Sequence, residues 1–121
     1  MKVLSIRGAT TVSENSKDEI LKETKVLIEK IIKENNIKED EIINMLFTMT
    51  SDLDSIYPSV AVRDLLNICD TPLLNFEEKY IKGSLKKCIR VMVNINSDKS
   101  KSEIKHIYLN GSKILRPDIN K

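Results

Sequence analysis

The sequence predicts an α+β fold, a five-stranded mixed sheet with one long and one short helix on one face. Three observations carry it. Five short apolar segments read as strands, two of them alternating clearly about an arginine. One long segment instead repeats its apolar residues at helical spacing. The segments follow one another as β-α-β-α-β-β-β, the order of a mixed sheet rather than of a bundle or sandwich. The chain has 121 residues, enough for one core and too few for two, so 1–121 is expected to be a single domain.

Val3-Leu4-Ser5-Ile6-Arg7-Gly8 is the first strand, with Leu4 and Ile6 on one face and Arg7 on the other. Ser16-Lys17-Asp18-Glu19 reads as a capping box, Ser16 accepting from the Glu19 backbone and Glu19 reaching back. Ile20, Leu21, Thr24, Leu27, Ile28, Ile31 and Ile32 then share one helical stripe, and Asn35-Asn36 suit its end. Ile42 to Thr50 is a buried strand. Pro58 suits the first position of a short helix whose inner face is Ala61, Val62, Leu65 and Leu66, with Arg63 and Asp64 outside. Pro72 to Phe76 is the third strand, and Glu77 to Ser84 is a polar connection holding Glu78. The fourth strand surrounds Arg90 and the fifth runs from Ile104 to Leu109. Asn110-Gly111 is a turn signal, and the tail over 111–121 is expected to be mobile because it lies near the terminus.

Composition narrows the function. With 20 Lys and Arg against 18 Asp and Glu the net charge is only +2, which argues against a nucleic-acid binder working by bulk electrostatics. There is no Trp and aromatics are 4%, too few for base-stacking platforms. No signal-peptide core is evident, and no apolar run approaches the ~20 residues of a membrane helix. A soluble cytoplasmic protein with no nucleic-acid or membrane partner is expected. Cys69 and Cys88 form neither a metal spacing nor a disulfide framework.

The sharpest feature is Arg90 in Cys88-Ile89-Arg90-Val91-Met92-Val93-Asn94-Ile95. Ile89, Val91, Val93 and Ile95 line one face, and Cys88, Arg90 and Met92 the other. A guanidinium on an apolar face is costly to desolvate unless an anion meets it. Arg7 poses the same problem, and two converging arginines would bind something doubly negative. The competing assignments are a structural ion pair for Arg90 and a solvent-facing strand end for Arg7. By the same measure Glu78 is a solvated loop carboxylate, Arg63 a surface charge, and Tyr108 either a carboxylate ligand or a core cap. His106, the only histidine, has no partner at ligand spacing and is not expected to hold a metal or act as a base. No nucleophile–base pair, phosphate-binding glycine loop or metal cluster is present, so no cofactor or metal is expected. An enzyme made of these parts works by positioning and electrostatics. Two helices cover only one face of the sheet. The other carries Arg7, Arg90 and Tyr108 among Val3 and Met92, a mixture that a homo-oligomer would bury with anion sites at or near its interfaces.

Five segments resemble the monofunctional AroH-class, Bacillus-type chorismate mutases in one register over nearly the whole chain. They are Ile6-Arg7-Gly8-Ala9-Thr10-Thr11-Val12, Val62-Arg63-Asp64-Leu65, Gly83-Ser84-Leu85-Lys86-Lys87-Cys88-Ile89-Arg90-Val91-Met92, His106-Ile107-Tyr108-Leu109 and Leu115-Arg116-Pro117-Asp118. The first and third are specific. The resemblance implies a homotrimeric pseudo-α/β-barrel with sites between subunits, converting chorismate to prephenate on the shikimate route to phenylalanine and tyrosine without a cofactor. It assigns Arg90, Glu78 and Arg7 to catalysis, and Tyr108, Arg63, Arg116, Leu115, Tyr57, Asn75 and Leu74 to substrate binding. Tyr57 stands where the family usually has Phe and Asn75 where it commonly has Cys. Val60 replaces a basic residue and Leu74 a small polar one. The alternatives are a catalytically silent trimeric sensor of a small carboxylate metabolite and an enzyme of the reactive-intermediate deaminase type. Glu78 and the Arg90 strand favour the mutase.

Overall fold

The computed structural model describes residues 1–118, so the part of the expected mobile tail over 119–121 lies outside the described residues. Five strands form one mixed sheet: β1 (Lys2–Thr11), β2 (Ile42–Thr50), β3 (Leu73–Glu78), β4 (Cys88–Ser97) and β5 (Ile107–Tyr108), in the order β3-β2-β4-β1-β5. β4 is central, antiparallel to both β1 and β2, and the outer pairs β2–β3 and β1–β5 are parallel. The predicted α+β class and five-stranded mixed sheet are therefore observed.

One helix, α1 (Lys17–Glu34), lies across one face. Its buried stripe of Ile20, Thr24, Leu27, Ile28 and Ile31 meets the inward residues Ile6, Met45, Phe47, Ile89, Val91 and Val93. The approach is close at Gly8, where an added Cβ would sit 2.7 Å from Ile31 Cδ1 and 3.2 Å from both Leu27 and Val91. At the start of the helix the Ser16 hydroxyl accepts from the Glu19 N–H at 3.2 Å. The second half of the expected capping box is replaced, because Glu19 Oε1 accepts from the Ser13 hydroxyl at 2.8 Å instead of reaching Ser16.

Three other expectations are corrected. The short second helix is a π-helical turn, Ala61–Leu65, closed by the Leu66 N–H on Ala61 O at 3.1 Å. Its wider winding rotates Leu65 out of the inner face, leaving it exposed, while Ala61 and Val62 are buried. Glu78 belongs to no loop, since parallel pairing with β2 carries β3 two residues further, to Glu78 opposite Thr50. β5 is two residues rather than six, because beyond Ile107 the β1 backbone is met by the His106 side chain instead of a strand. After β5 the chain forms a 3-10 helix, Asn110–Leu115. Its buried Ser112 hydroxyl donates to Ala9 O at 2.9 Å, and Asn110 takes the left-handed φ of 53° that the turn requires.

Candidate active site

The face opposite α1 carries the site. Cα partners in neighbouring strands share a face, so Phe76, Thr48, Arg90, Ala9 and Tyr108 form one row across all five strands. Leu74, Leu46, Met92 and Arg7 form the next. Arg7 and Arg90 are thus diagonal neighbours on β1 and β4, about 7 Å apart at Cα. Both reach a concavity of about 320 Å³ shared with Leu46, Thr48, Phe76 and Met92. On the other side of Arg90 a second concavity, about 390 Å³, holds Glu78, Tyr80 and Ile81.

Glu78 is set at the last position of β3, where its Oε2 lies 3.1 Å from Arg90 Nε. Both side chains are mostly enclosed, 20% and 28% exposed. Thr48 donates its hydroxyl to the same oxygen at 2.5 Å. The Arg90 Nε is buried against Glu78 without hydrogen-bond alignment, so the contact is an ion pair rather than a hydrogen bond. Sequence reasoning missed Thr48, which shares no motif with Arg90 and meets it only through the β2–β4 register. Beside this pair Cys88 is fully buried, and its burial, partly offset by Arg90, pushes the thiol up to about 11. It is a neutral thiol near pH 7 and a poor nucleophile.

The remaining predicted residues fall into two groups. Tyr108 shares Arg90's row but is buried, and Arg116 stands over it from the segment after the 3-10 helix. Hydrogen bonding to Asp118, then the Asp118 charge, with Tyr108 adding to both, raises the Arg116 pKa above its ordinary value. Leu115 is half-buried beside it. Away from Arg90, Tyr57 is exposed and lines a separate concavity with Met49, Leu53 and Glu77. Arg63 is exposed and paired with Asp64 at 3.0 Å. Asn75 points to the α1 side, donating to Ser59 Oγ at 2.8 Å while its Oδ1 accepts from the Ser59 N–H at 3.3 Å. Leu74 is exposed on the open face, and Val60 is half-buried at the start of the π-helical turn. One chain therefore brings together Arg7, Arg90 and Glu78, with Tyr108, Leu115 and Arg116 at one edge, and holds Tyr57, Arg63 and Asn75 apart from them.

Among the described residues no group of three or more His, Cys, Asp or Glu side chains could hold a metal ion, and no helix is long and apolar enough to cross a membrane. Two guanidinium groups, one of them paired to a carboxylate, thus lie on a half-open sheet face. The comparisons give this arrangement a family. Residues 3–119 match the family described as chorismate mutase type I. The chain is 42% identical over 120 residues to the protein named chorismate mutase AroH of Bacillus subtilis, covering 99% of this chain and 94% of that one. It is 36% identical over 118 residues to chorismate mutase AroH of Thermus thermophilus, covering 97% and 96%. A solved chorismate mutase from Clostridium thermocellum superposes with a TM-score of 0.89 at 48% identity, over 92% of this chain and 98% of that one. This chain belongs to the chorismate mutase type I family.

Proposed function

We propose that the chain acts as one domain over 1–121 and rearranges chorismate to prephenate in a homotrimer with a pseudo-barrel core, in the cytoplasm. The observation that carries this is the Arg90–Glu78 pair, a donor and an acceptor fixed side by side on the open sheet face. In the rearrangement an ether C–O bond breaks as a C–C bond forms within one molecule. The ether oxygen gains negative charge and the ring gains positive charge. Arg90, whose side chain lines the open concavity, is suited to donate from its guanidinium to that oxygen and to a carboxylate. Glu78 is suited to accept from the ring hydroxyl and to favour the positive ring. Arg7, one row away, would hold the side-chain carboxylate with help from Tyr108, selecting the compact conformer that reacts.

Arg116 and Leu115 would close the edge of the site over Tyr108. Tyr57, Arg63, Asn75 and Leu74 would complete it from a neighbouring subunit. Supporting this, Tyr57 and Arg63 are exposed and stand away from Arg90 within one chain, and the face around Arg90 is too apolar to remain open to water. Val60 in place of a basic residue would weaken attraction of the dianion at the mouth.

The test is loss of chorismate absorbance on adding purified protein, with Arg90→Ala as control and prephenate confirmed by its acid conversion to phenylpyruvate. Turnover that is abolished in the control is the expected result. Chorismate binding with no turnover in the wild type would overturn the catalytic reading in favour of a sensor.

A further inference from the structure

His106 is a group that this scheme leaves unused. β5 pairs with β1 at Gly8–Ile107 and Ala9–Tyr108, and the Leu109 N–H donates to Ala9 O at 2.9 Å. One step earlier the backbone ladder ends, and the Arg7 N–H donates to the His106 ring at Nδ1, 2.9 Å away. A ring nitrogen that accepts from an amide must carry its lone pair, so the proton of the neutral imidazole sits on Nε2.

The surroundings oppose protonation. Arg7 faces the ring from β1 and Arg116 from the C-terminal segment. The concavities that His106 lines also hold Lys101, Lys105 and Lys113, together with Lys30 and Glu34 of α1, so Glu34 is the one carboxylate among them. Burial first, then the charges of Arg116 and Arg7, lower the imidazole below its ordinary pKa.

We propose that His106 is a positioning residue for Arg7, its unprotonated Nδ1 fixing the backbone from which the Arg7 guanidinium reaches the substrate carboxylate. The inference rests on the reading of Arg7 as a carboxylate ligand. Protonation places donors on both ring nitrogens, so the amide of Arg7 loses its acceptor and faces a like group. Arg7 selects the compact conformer on binding and holds its carboxylate alike in the bound substrate and the transition state, so its displacement acts on KM more than on kcat.

The experiment follows kcat and KM between about pH 5 and 8 for wild type, His106→Asn and His106→Leu, with ring nitrogen NMR of the wild type. An asparagine Oδ1 can occupy the place of Nδ1 and accept without titrating. In the wild type KM should rise as pH falls below the ordinary imidazole value of 6.5, with kcat little changed. His106→Asn should hold a low KM across the range, and His106→Leu should show a KM raised by about tenfold at every pH, the effect of an amide left unpaired. A wild-type KM in a folded His106→Leu overturns the inference. So does an acid rise in His106→Asn equal to that of the wild type, or an Nδ1-protonated ring at pH 7. Should His106→Leu fail to fold, the asparagine variant and the NMR decide. A wild type that binds chorismate without turnover would sink the catalytic reading instead, and the affinity for chorismate, measured by calorimetry across the same pH range, then replaces KM.

Discussion

Arg90 stands where three demands meet: an ion pair to Glu78 at 3.1 Å, a Thr48 hydroxyl already bonded to the same oxygen, and a buried Nε–H with no hydrogen bond. A planar fork can hold a carboxylate and an ether oxygen together, whereas an ammonium is a single point of charge. Arg90→Lys should therefore lose kcat a hundredfold or more, roughly the ~3–4 kcal/mol of a donor aimed at developing charge. Steady-state kinetics check it, and a variant keeping most of its kcat would remove Arg90 from the central role. Glu78→Ala should lower kcat more than it raises KM, because positive ring charge exists only in the transition state. A change confined to KM would make Glu78 a positioning group. No proton is transferred, and Cys88 is a neutral thiol pushed up to about 11, so kcat should be flat between roughly pH 6 and 9. A steep bell there would contradict the mechanism. Arg90 was legible in the sequence because a guanidinium breaks the apolar alternation of its strand. Glu78 was not legible as a strand residue, because only pairing with β2 extends β3 that far.

At the scale of elements, the fold rests on how closely α1 approaches β1. Gly8 makes that contact possible, since any Cβ there would enter the space of the Ile31 methyl group at 2.7 Å. Gly8→Ala should cost about 1–3 kcal/mol through overpacking, read as a lowered midpoint in urea with an unchanged slope. Because β1 carries Arg7 one residue earlier, a shift of the strand should also raise KM. An unaltered midpoint would mean that the helix can move away without loss. Periodicity made α1 and its Ser16 cap legible, and the alternation of β4 fixed which residues face inward. The boundaries that failed have specific causes. The π-helical turn at Ala61–Leu65 changes the winding on which the placement of Leu65 depended. β5 stops short because His106 takes the Arg7 amide, a side-chain bond that no residue pattern encodes.

For the whole molecule, the open face sets the remaining problem. Leu74 and Phe76 are about half exposed at its β3 edge, with Leu46 and Met92 partly covered beside them and Val3 further along β1. Such a surface favours association in water, and the proposed closed ring of identical subunits would bury it without leaving an edge. That is also what would bring Tyr57 and Arg63 of one chain toward Arg90 of another. Phe76→Glu would place a charge in the middle of the buried seam while leaving β3 paired to β2 through its backbone. We expect the wild type to sediment as a trimer at micromolar concentration and Phe76→Glu to sediment as a folded monomer that turns over no chorismate. If the site is shared as proposed, activity would then depend on concentration in variants of intermediate stability, since only the assembled state would hold a complete site. A dilute wild type that sediments as a stable monomer at full activity would mean that Arg7, Arg90 and Glu78 of one chain suffice, and the shared site would have to be abandoned.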